Sequence, residues 1–489
     1  RVAGLCAQRD GATGDLSLAL LLSRRIGDAE KGFDTTDKLV YNDAVHKNEI
    51  NSGRGRYALL RRRSYLKWLY PGMHVKRWLL LLIVGVTMVS LGLAYLLREF
   101  YAVATLPSIF YYLTLQFLSR PVRALLFGIA GGSAIVISII QLNRAVLAPF
   151  LRPGQPNLVD AVYQHRQRRR GPKIVAIGGG TGLNTLLRGI KEYTDHITAI
   201  VTVADDGGSS GRLRREMGML PPGDFRSCLA ALSEAEGLTS RLFQYRFSEG
   251  MGLNGHSFGN LFIAAMAAVT GSFESALAES SKVLAVRGRV LPSTLANVTL
   301  VAELKEPSDG EGVLRRVAGE SQIPKAGRII ERVSLEPDDP PAYPEAVRAI
   351  LEADLIVAGP GSLFTSVLPN LLVPDIARAI AASRASKVYV CNLATQRGET
   401  EGFDVDAHMR ALERHVGPLF RVVLANDRFE GSPEEVGQWV KPPLTPPRDY
   451  VVVTADLADR DYPWRHDPAR LARALMDLYT QQGGLDGAP

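Results

Sequence analysis

The residues in this sequence that are best suited to chemistry lie in glycine-rich segments that each follow an apolar run. The first segment is GGGTG at residues 178–182, directly after KIVAI. Glycines allow backbone N–H groups to approach a phosphate closely, and a helix that begins there adds the positive end of its dipole. Leu183 stands where G-x-G-x-x-G requires its third glycine, and no G-x-x-x-x-G-K-[ST] loop is present. The segment predicts a phosphate contact without a conventional dinucleotide or triphosphate site, and a strand-to-helix turn without a ligand is its alternative.

The second segment, DDGGSSGR, ends the next apolar run and combines carboxylates, hydroxyls and an arginine. Asp205 and Asp206 suit the hydroxyl groups of a ribose or sugar, or a hydrated Mg²⁺. Ser209, Ser210 and Arg212 suit phosphate oxygens, which a planar guanidinium binds in a forked geometry. Asp and Ser also cap helices and fill turns. That explanation does not cover two polar glycine loops that end consecutive predicted strands.

Three later segments, PPGDFR, GHSFGN and GPGS, have the same polar character. In the first, Asp224 suits either a helix N-cap or a ligand contact. In the second, His256 suits a hydrogen-bond donor better than a general base, because no G-x-S-x-G elbow surrounds it. In the third, Gly361 and Ser362 begin another predicted helix and suit an anion. A sixth polar loop, NLATQRGE, follows a further strand. Each could be a capped turn, but their accumulation at strand ends indicates a ligand site.

Strand and helix patterns alternate from Lys173 onward, and these elements must position the polar segments. KIVAIGG and ITAIVTVAD are apolar and β-branched, and GLNTLLRGIKEY between them has helical spacing. The pattern predicts a Rossmann-like, mostly parallel sheet with helices on both faces over residues 172–441. In such a sheet, ligands bind beyond the carboxyl ends of the strands. Residues 290–336 predict a strand-rich insertion, and residues 442–489 predict a linker, one more strand and a final helix.

Two uncharged apolar stretches precede this domain, at residues 78–97 and 125–142. About twenty helical residues span the ~30 Å hydrocarbon core of a bilayer, so residues 61–171 predict a membrane hairpin. The stretch between them, residues 100–118, contains Pro107 and aromatic residues and is expected at the outer interface. Arginine and lysine are concentrated before and after the hairpin, so both of its ends are expected inside. The α/β domain then faces the cytoplasm from the cytoplasmic membrane.

The composition narrows the class of protein further. Cys6, Cys228 and Cys391 are too few and too scattered for a disulfide framework or a zinc site. The net charge of +7 is the excess of 57 basic over 50 acidic residues, and much of it flanks the hairpin, where anionic lipids are the expected partner. The run QHRQRRRGPK lacks interleaved aromatic residues, so no nucleic acid is expected. The polar residues 1–60 predict a poorly ordered leader.

The polar segments and their surroundings together resemble a known family, the YvcK-like gluconeogenesis factors, which are related to the 2-phospho-L-lactate transferase CofD. The similar motifs are GGGTGLNTLLRG, ITAIVTVADDGGSSGRLR, PPGDFRS, LNGHSFGNL, QIPKAGRI, AGPGSLFTSVLPNLLVP and NLATQRGETEGF. The resemblance implies that the chain binds a UDP-sugar such as UDP-N-acetylglucosamine. The binding residues that it implies are Gly178, Gly179, Gly180, Thr181, Gly182, Asp205, Asp206, Ser209, Ser210, Arg212, Asp224, Arg226, His256, Asn260, Gly361 and Ser362.

The resemblance favours a regulator without turnover, which links carbon metabolism to the supply of cell-wall precursors and to cell shape. That role requires no cofactor beyond the UDP-sugar ligand. One alternative is a CofD-like transferase of deazaflavin coenzyme biosynthesis, with Mg²⁺ at Asp205 and Asp206. Another is a membrane scaffold that recruits partners. The usual soluble members of the family lack a membrane hairpin, so the location is not carried over from them, and the sequence leaves a homo-oligomer open.

Overall fold

The chain forms two compact units, Arg1–Tyr163 and Gln164–Pro489. A computed structural model describes residues 75–103, 109–113, 115–147, 167–234, 238–305, 314–431, 437–445 and 447–483. The first unit contains the predicted hairpin, and the second contains the predicted α/β domain. The predicted leader, residues 1–60, lies outside the described residues, as does part of the basic sequence that flanks the hairpin.

The first unit contains two long apolar helices. Its helices are α1 (Val75–Val103), α2 (Ile109–Leu113) and α3 (Arg120–Leu147). The predicted spans at residues 78–97 and 125–142 lie inside α1 and α3. Within these helices, Ile83–Phe100 and Arg120–Ser138 are apolar and long enough to cross a membrane by length and composition, and neither window is buried inside the protein. The two predicted apolar helices before the α/β domain are therefore present, and their crossing of a membrane stays a prediction.

The second unit is built on a seven-stranded sheet in which every neighbouring pair of strands is parallel. Its strands are β1 (Ile174–Gly178), β2 (Ile197–Val201), β3 (Arg289–Pro292), β7 (Leu355–Ala358), β8 (Ser386–Val390), β9 (Val422–Asn426) and β10 (Val451–Ala455). Their order across the sheet is β10-β9-β8-β7-β1-β2-β3. The predicted α/β fold with a parallel sheet is confirmed.

The sheet lies inside the unit because its central strands are apolar throughout. Every residue of β1, IVAIG, and of β2, ITAIV, is buried. Successive side chains of a strand point to opposite faces, so helices must cover both faces of the sheet. The helices of this unit are α4 (Gly180–Ile190), α5 (Gly208–Met217), α6 (Gly223–Leu232), α7 (Leu238–Gln244), α8 (Phe258–Thr270), α9 (Phe273–Val283), α10 (Pro344–Leu351), α11 (Leu368–Leu371), α12 (Pro374–Ala382), α13 (Val405–Val416) and α14 (Pro468–Gly483).

Helix α4 illustrates how the sequence covers the sheet. Its buried apolar residues are Leu183, Leu186, Leu187 and Ile190, and this spacing places them on one face of a helix. The helix packs against α6 and α14. At the contact with α14, a Cβ on Gly189 would stand 2.0 Å from the carbonyl oxygen of Pro468, so only glycine permits the approach. The carboxyl-terminal strand and helix, β10 and α14, therefore belong to the same unit as the rest of the sheet.

The strand-rich segment predicted at residues 290–336 is divided between two sheets. Strand β3 lies at the edge of the main sheet, parallel to β2. The remainder forms an antiparallel sheet in the order β5-β4-β6, which we call the three-stranded subdomain. Its strands are β4 (Thr299–Lys305), β5 (Leu314–Ala318) and β6 (Ile329–Glu336). The antiparallel part thus begins at β4, because the apolar residues of β3 pair with the main sheet.

Candidate functional site

The loops after β1, β2 and β7 meet at one edge of the main sheet. Gly178 of β1 lies opposite Val201 of β2, and Ile177 lies opposite Ala358 of β7, so the three loops begin at the same level. From β1 the chain continues to β2 and β3 on one side, and it later returns through β7 on the other side. Ligands bind in open α/β sheets at such a reversal of strand order. We call this edge the switch-point site.

The loops after β1 and β7 pack backbone against backbone. A Cβ on Gly182 would stand 2.3 Å from the carbonyl oxygen of Pro360, so this close approach requires glycine. Asn370 fixes the end of β1, because its Nδ2 donates to the Gly178 carbonyl oxygen at 3.0 Å. Thr181 lies exposed in the first turn of α4. The predicted GGGTG segment therefore serves close packing in addition to any ligand contact.

The loop after β7 is held by the loop after β8. Asn392 accepts a hydrogen bond from the Gly361 N–H at 3.1 Å and donates to the Gly361 carbonyl oxygen at 2.9 Å. Gln396 Nε2 donates to Ser362 Oγ at 2.8 Å. The Gly361 N–H, which the sequence predicts as an anion donor, is thus already hydrogen-bonded inside the protein.

Asp224 closes the loop after β1 from the start of α6. Its Oδ2 accepts a hydrogen bond from the Gly180 N–H at 2.9 Å, and a Cβ on Gly179 would lie 2.5 Å from the same oxygen. Asp224 does not cap its own helix, since Pro222 is the N-cap and no side-chain cap bond is formed. The carboxylate therefore occupies the anion position at the start of α4. Burial raises the pKa of Asp224 to about 6, although the Gly180 hydrogen bond opposes the rise.

The two aspartates after β2 contact different partners. Asp205 accepts a hydrogen bond from the Gly207 N–H at 2.9 Å. Burial raises the pKa of Asp205, while hydrogen bonds from Gly207 and Ser210 oppose the rise. Asp206 Oδ1 accepts a hydrogen bond from the Ser321 N–H at 2.8 Å. Because Ser321 lies between β5 and β6, this bond brings the three-stranded subdomain to the switch-point site.

Two glutamates outside the predicted set join the aspartates. Burial, followed by the negative charges of the neighbouring carboxylates, raises the pKa of Glu320 to about 8. Glu399 is buried, and its Oε1 accepts a hydrogen bond from Thr365 Oγ1 at 3.0 Å. Burial raises the pKa of Glu399 to about 7. Carboxyls with such pKa values can donate as well as accept hydrogen bonds at neutral pH. The acidic cluster comprises Asp205, Asp206, Asp224, Glu320 and Glu399.

Besides Arg214, whose charge interacts with those of Asp205 and Asp206, four basic side chains lie near the acidic cluster. The basic cluster comprises Arg212, Arg226, Arg246 and His256. Arg212 Nη2 donates to the Asn254 carbonyl oxygen at 2.8 Å, and Arg246 donates to the Gly255 carbonyl oxygen, both just before α8. Burial, together with the charge of Arg246, lowers the pKa of Arg226. Among the described residues, none of the three arginines forms an ion pair with a carboxylate at 4.0 Å or less, so guanidinium donors are available to an anion.

Ser209, His256 and Asn260 form a buried hydrogen-bond network between α5 and α8. Ser209 Oγ lies 2.9 Å from His256 Nδ1, and Asn260 Nδ2 donates to the same oxygen at 3.1 Å. The three residues are 5%, 4% and 3% exposed, so the Ser209 hydroxyl is not presented to a ligand as a nucleophile would be. Burial, followed by the charge of Arg212, lowers the pKa of His256. The network suits positioning of the loop after β2 against the segment before α8.

The structure thus brings all of the predicted segments to one edge, although it uses them differently. The site also contains four residues that the sequence does not predict as site residues: Glu320, Glu399, Arg246 and Asn392. Asn392 and Glu399 stand at the two ends of the polar loop NLATQRGE, and Glu320 lies two residues before the motif QIPKAGRI. These neighbouring motifs are the features of the sequence that could have identified the three residues. Arg246 lies outside every motif, and only its charge pointed to a role.

Comparison with known proteins agrees with the fold. Residues 174–481 match the model of the family described as 2-phospho-L-lactate transferase CofD. The gluconeogenesis factor of Bacillus subtilis is 47% identical over 322 residues, which cover 63% of this chain and 99% of that protein. A crystal structure of a UPF0052 family member from Bacillus halodurans has 43% sequence identity and a TM-score of 0.58, and it covers 63% of this chain and 99% of its own.

A relative from Nostoc sp. PCC 7120, named "Putative gluconeogenesis factor", is similar over more of the chain. It is 48% identical over 437 residues, which cover 85% of this chain and 93% of the relative. Residues 164–489 alone do not account for 85% of the chain, so this similarity extends into the first unit. The chain therefore belongs to the CofD family and, within it, to the YvcK-like gluconeogenesis factors.

Proposed function

We propose that the switch-point site binds a nucleotide sugar of the UDP-N-acetylglucosamine type. In this proposal the protein is a regulator that links carbon metabolism to cell-wall precursor supply and to cell shape. The observation that carries it is the presence of two complementary chemistries side by side, the basic cluster and the acidic cluster. A diphosphate requires cations and N–H donors, whereas sugar hydroxyls require oxygen acceptors. A nucleotide sugar presents both kinds of group.

The basic cluster is the expected position of the diphosphate. Arg212 and Arg246 donate to backbone carbonyl oxygens, and a guanidinium has five donors. Helix α5 begins at Gly208 without a side-chain cap, so its first N–H groups add positive potential at the same edge. The acidic cluster then lies on the side of the sugar, where partly protonated carboxyls form hydrogen bonds with hydroxyl or amide groups. This arrangement supports binding without requiring a chemical step.

Calorimetric titration of residues 164–489 with UDP-N-acetylglucosamine tests the proposal. The unit is compact by itself, and the crystallised relative from Bacillus halodurans corresponds to 63% of this chain, so the truncated protein is expected to fold. Saturable heat with a one-to-one stoichiometry is expected. UDP and N-acetylglucosamine, titrated separately, show which part of the ligand supplies the affinity. Absence of heat and of a thermal shift at millimolar ligand, about −4 kcal/mol of binding free energy, would overturn the proposal.

A second candidate, a phospholactyl transferase, is favoured by the match to the CofD family. It calls for Mg²⁺ near Asp205 and Asp206. Both carboxylates already accept backbone N–H bonds, and the residues that the structure describes contain no group of three His, Cys, Asp or Glu side chains placed to hold a metal ion. Among the described residues, Asp205 and Asp206 thus have no third protein ligand for Mg²⁺ beside them, and we derive no step through the ion. Formation of a phosphorylated deazaflavin product by the purified protein would favour the transferase over the regulator.

The location in the cell is the third part of the proposal. Two helices are long and apolar enough to cross a membrane, which supports a hairpin anchor with the α/β unit facing the cytoplasm. Digestion by added protease in inside-out vesicles, with protection in intact spheroplasts, is the expected result. Removal of residues 1–163 and the variant Asp206→Ala separate the regulator from a membrane scaffold. If the truncation abolished cell-shape control while Asp206→Ala left it intact, the scaffold would replace the regulator.

A further inference from the structure

The three-stranded subdomain contributes one carboxyl, that of Glu320, to the switch-point site. The position of this carboxyl indicates a function in ligand binding. Strand β5 ends at Ala318, and the turn that follows leads into the buried Ile323. Within the turn, the Gly319 N–H donates to the Leu300 carbonyl oxygen at 2.8 Å, and the Gln322 N–H donates to the Gly319 carbonyl oxygen at 3.0 Å. The turn is thus fixed to β4 and to the core. Glu320 lies at its second position.

The turn packs tightly on two loops of the main sheet. The Ser321 N–H donates to Asp206 Oδ1 at 2.8 Å. A Cβ on Gly319, whose φ is +104°, would stand 2.4 Å from Asp206 Oδ2. On the other side, a Cβ on Gly398 would stand 2.1 Å from the carbonyl oxygen of Pro324. The turn and the residues that follow it therefore contact both the loop after β2 and the loop after β8.

Glu320 stands between Gly319 and Ser321, both of which pack against the Asp206 carboxylate, so the turn places it beside the acidic cluster. Its charge interacts with those of four carboxylates that belong to three different elements: Asp205 and Asp206 after β2, Asp224 on α6, and Glu399 after β8. Only a position between these elements is close to all of them. Unlike Asp205 and Asp206, the Glu320 carboxyl accepts no hydrogen bond from the residues that the structure describes. Its oxygens are therefore available to a ligand.

A carboxyl in these surroundings is unfavourable for the stability of the folded protein, and a purely structural role of the turn does not require one. Burial and four like charges oppose its ionisation, and residues with such perturbed ionisation are concentrated at functional sites. Phosphate groups would be repelled by the neighbouring carboxylates. Among the groups of a nucleotide sugar, the neutral donors, which are sugar hydroxyls and amide N–H groups, are the ones that this position accepts.

We propose that Glu320 binds the glycosyl part of the nucleotide sugar, so that the three-stranded subdomain determines which sugar is selected. This inference rests on the proposed function of the switch-point site. Glu320 acts as a specificity-determining residue that hydrogen bonds to hydroxyl or amide groups of the sugar. It contributes little to binding of the nucleoside diphosphate alone, which the basic cluster binds.

Titration of the wild type, Glu320→Ala and Glu320→Gln with UDP-N-acetylglucosamine and with UDP tests the inference at pH 7. Glu320→Ala is expected to weaken UDP-N-acetylglucosamine about tenfold and to change the UDP affinity less than about twofold. Glu320→Gln keeps one acceptor and one donor, so it is expected to restore most of the sugar-dependent affinity. Glu303→Ala is the matched control, because Glu303 is an exposed glutamate on β4 of the same subdomain.

The outcomes separate this inference from the function on which it rests. If Glu320→Ala weakens both ligands equally, or weakens neither, the sugar-specific role is wrong while nucleotide-sugar binding stands. If the wild type binds neither ligand, the proposed function itself is wrong, and the role of Glu320 is wrong with it. Should Glu320→Ala fail to fold, Glu320→Gln and Glu320→Ser provide the same two-ligand comparison, and Gln binding the sugar no better than Ser would overturn the inference.

Discussion

The two halves of the switch-point site use their hydrogen-bond donors in opposite ways. In the glycine half, formed by the loops after β1 and β7, the Gly180 and Gly361 N–H groups already donate to Asp224 and Asn392. In the arginine half, formed by the loop after β2 and the segment before α8, guanidinium groups donate to backbone carbonyl oxygens. Their remaining donors are available to a ligand.

This difference shows that a glycine-rich loop at a strand end is not by itself a free phosphate site. The glycines of the first half allow two backbones to approach within contact distance, and two of their N–H groups, those of Gly180 and Gly361, already donate to side chains of the protein. The first half therefore acts mainly as a scaffold. The second half carries the charges that a diphosphate requires. Substitutions in the two halves should accordingly change different quantities, stability in the first and affinity in the second.

The largest effect is expected from Gly182→Ala in the glycine half. The new Cβ would lie 2.3 Å from the Pro360 carbonyl oxygen and 2.9 Å from the Gly361 nitrogen, so the loops after β1 and β7 must separate. Overpacking of this kind costs about 3 kcal/mol of unfolding free energy. Urea denaturation followed by circular dichroism measures it. Gly178→Ala is the control, because the nearest atom to its Cβ, at 3.7 Å, is in ordinary contact. Equal stability of the two variants would contradict the packing argument.

A smaller effect is expected from Asp224→Asn, and it depends on pH. The folded-state pKa of Asp224 is about 6, raised from an ordinary value of 3.8. Between about pH 4 and pH 6 the folded state therefore holds a proton that the unfolded state has released. The stability that this group contributes is fully present below about pH 4 and is lost as the pH rises through about 6. Asn keeps an acceptor for the Gly180 N–H without the charge. The variant should gain about 2 kcal/mol relative to wild type between pH 4 and pH 8.

Urea denaturation at pH 4, 6 and 8 checks this prediction. The control is Asp375→Asn at the exposed first turn of α12, whose stability difference from wild type should not follow the same curve. Glu399 and Glu320, with pKa values of about 7 and about 8, should extend the loss of wild-type stability to about pH 8. A wild-type stability that rose with pH over this window would contradict the protonated state of the acidic cluster.

Much of the fold could be predicted because its signals are local. Strands β1 and β2 are short apolar runs buried on both faces, and the helical spacing of α4 appears directly in its sequence. Because parallel strands end at a common edge, the polar segments that follow them can be grouped from the sequence alone. Strand β3 is different, since its four residues, RVLP, are only partly buried. Its pairing with β2 depends on tertiary contacts.

The use of each site residue could not be predicted, because it depends on partners that are distant in sequence. Asp224 accepts a hydrogen bond from the Gly180 N–H, which is 44 residues away in the sequence. Asp206 accepts one from the Ser321 N–H, which is 115 residues away. The sequence predicts Asp224 as a cap or a ligand contact. In the structure, Asp224 instead closes the loop after β1. Glu320 joins the site only because the three-stranded subdomain folds back onto it. Local patterns identify polar loops, but not which of their donors remain free.

The smallest of the three effects is expected from Arg212→Ala in the arginine half. Loss of one charge-assisted hydrogen bond should weaken both UDP and UDP-N-acetylglucosamine about tenfold, or about 1.4 kcal/mol, because Arg226 and Arg246 remain nearby. The unfolding free energy should change by less than about 1 kcal/mol, since the one hydrogen bond that the Arg212 side chain forms within the described part of the chain is to the exposed Asn254 carbonyl oxygen. Calorimetric titration of both ligands, together with urea denaturation, measures the two quantities on the same protein.

Arg215→Ala supplies the control for this last prediction, because Arg215 is an exposed arginine on the same helix. It changes the net charge equally, so a loss of affinity in both variants would indicate a general electrostatic effect rather than contact with the ligand. Loss in Arg212→Ala alone would place the diphosphate at the arginine half. Unchanged affinity in Arg212→Ala, combined with weakened binding in a folded Gly182→Ala protein, would reverse the comparison and make the glycine half the principal ligand contact.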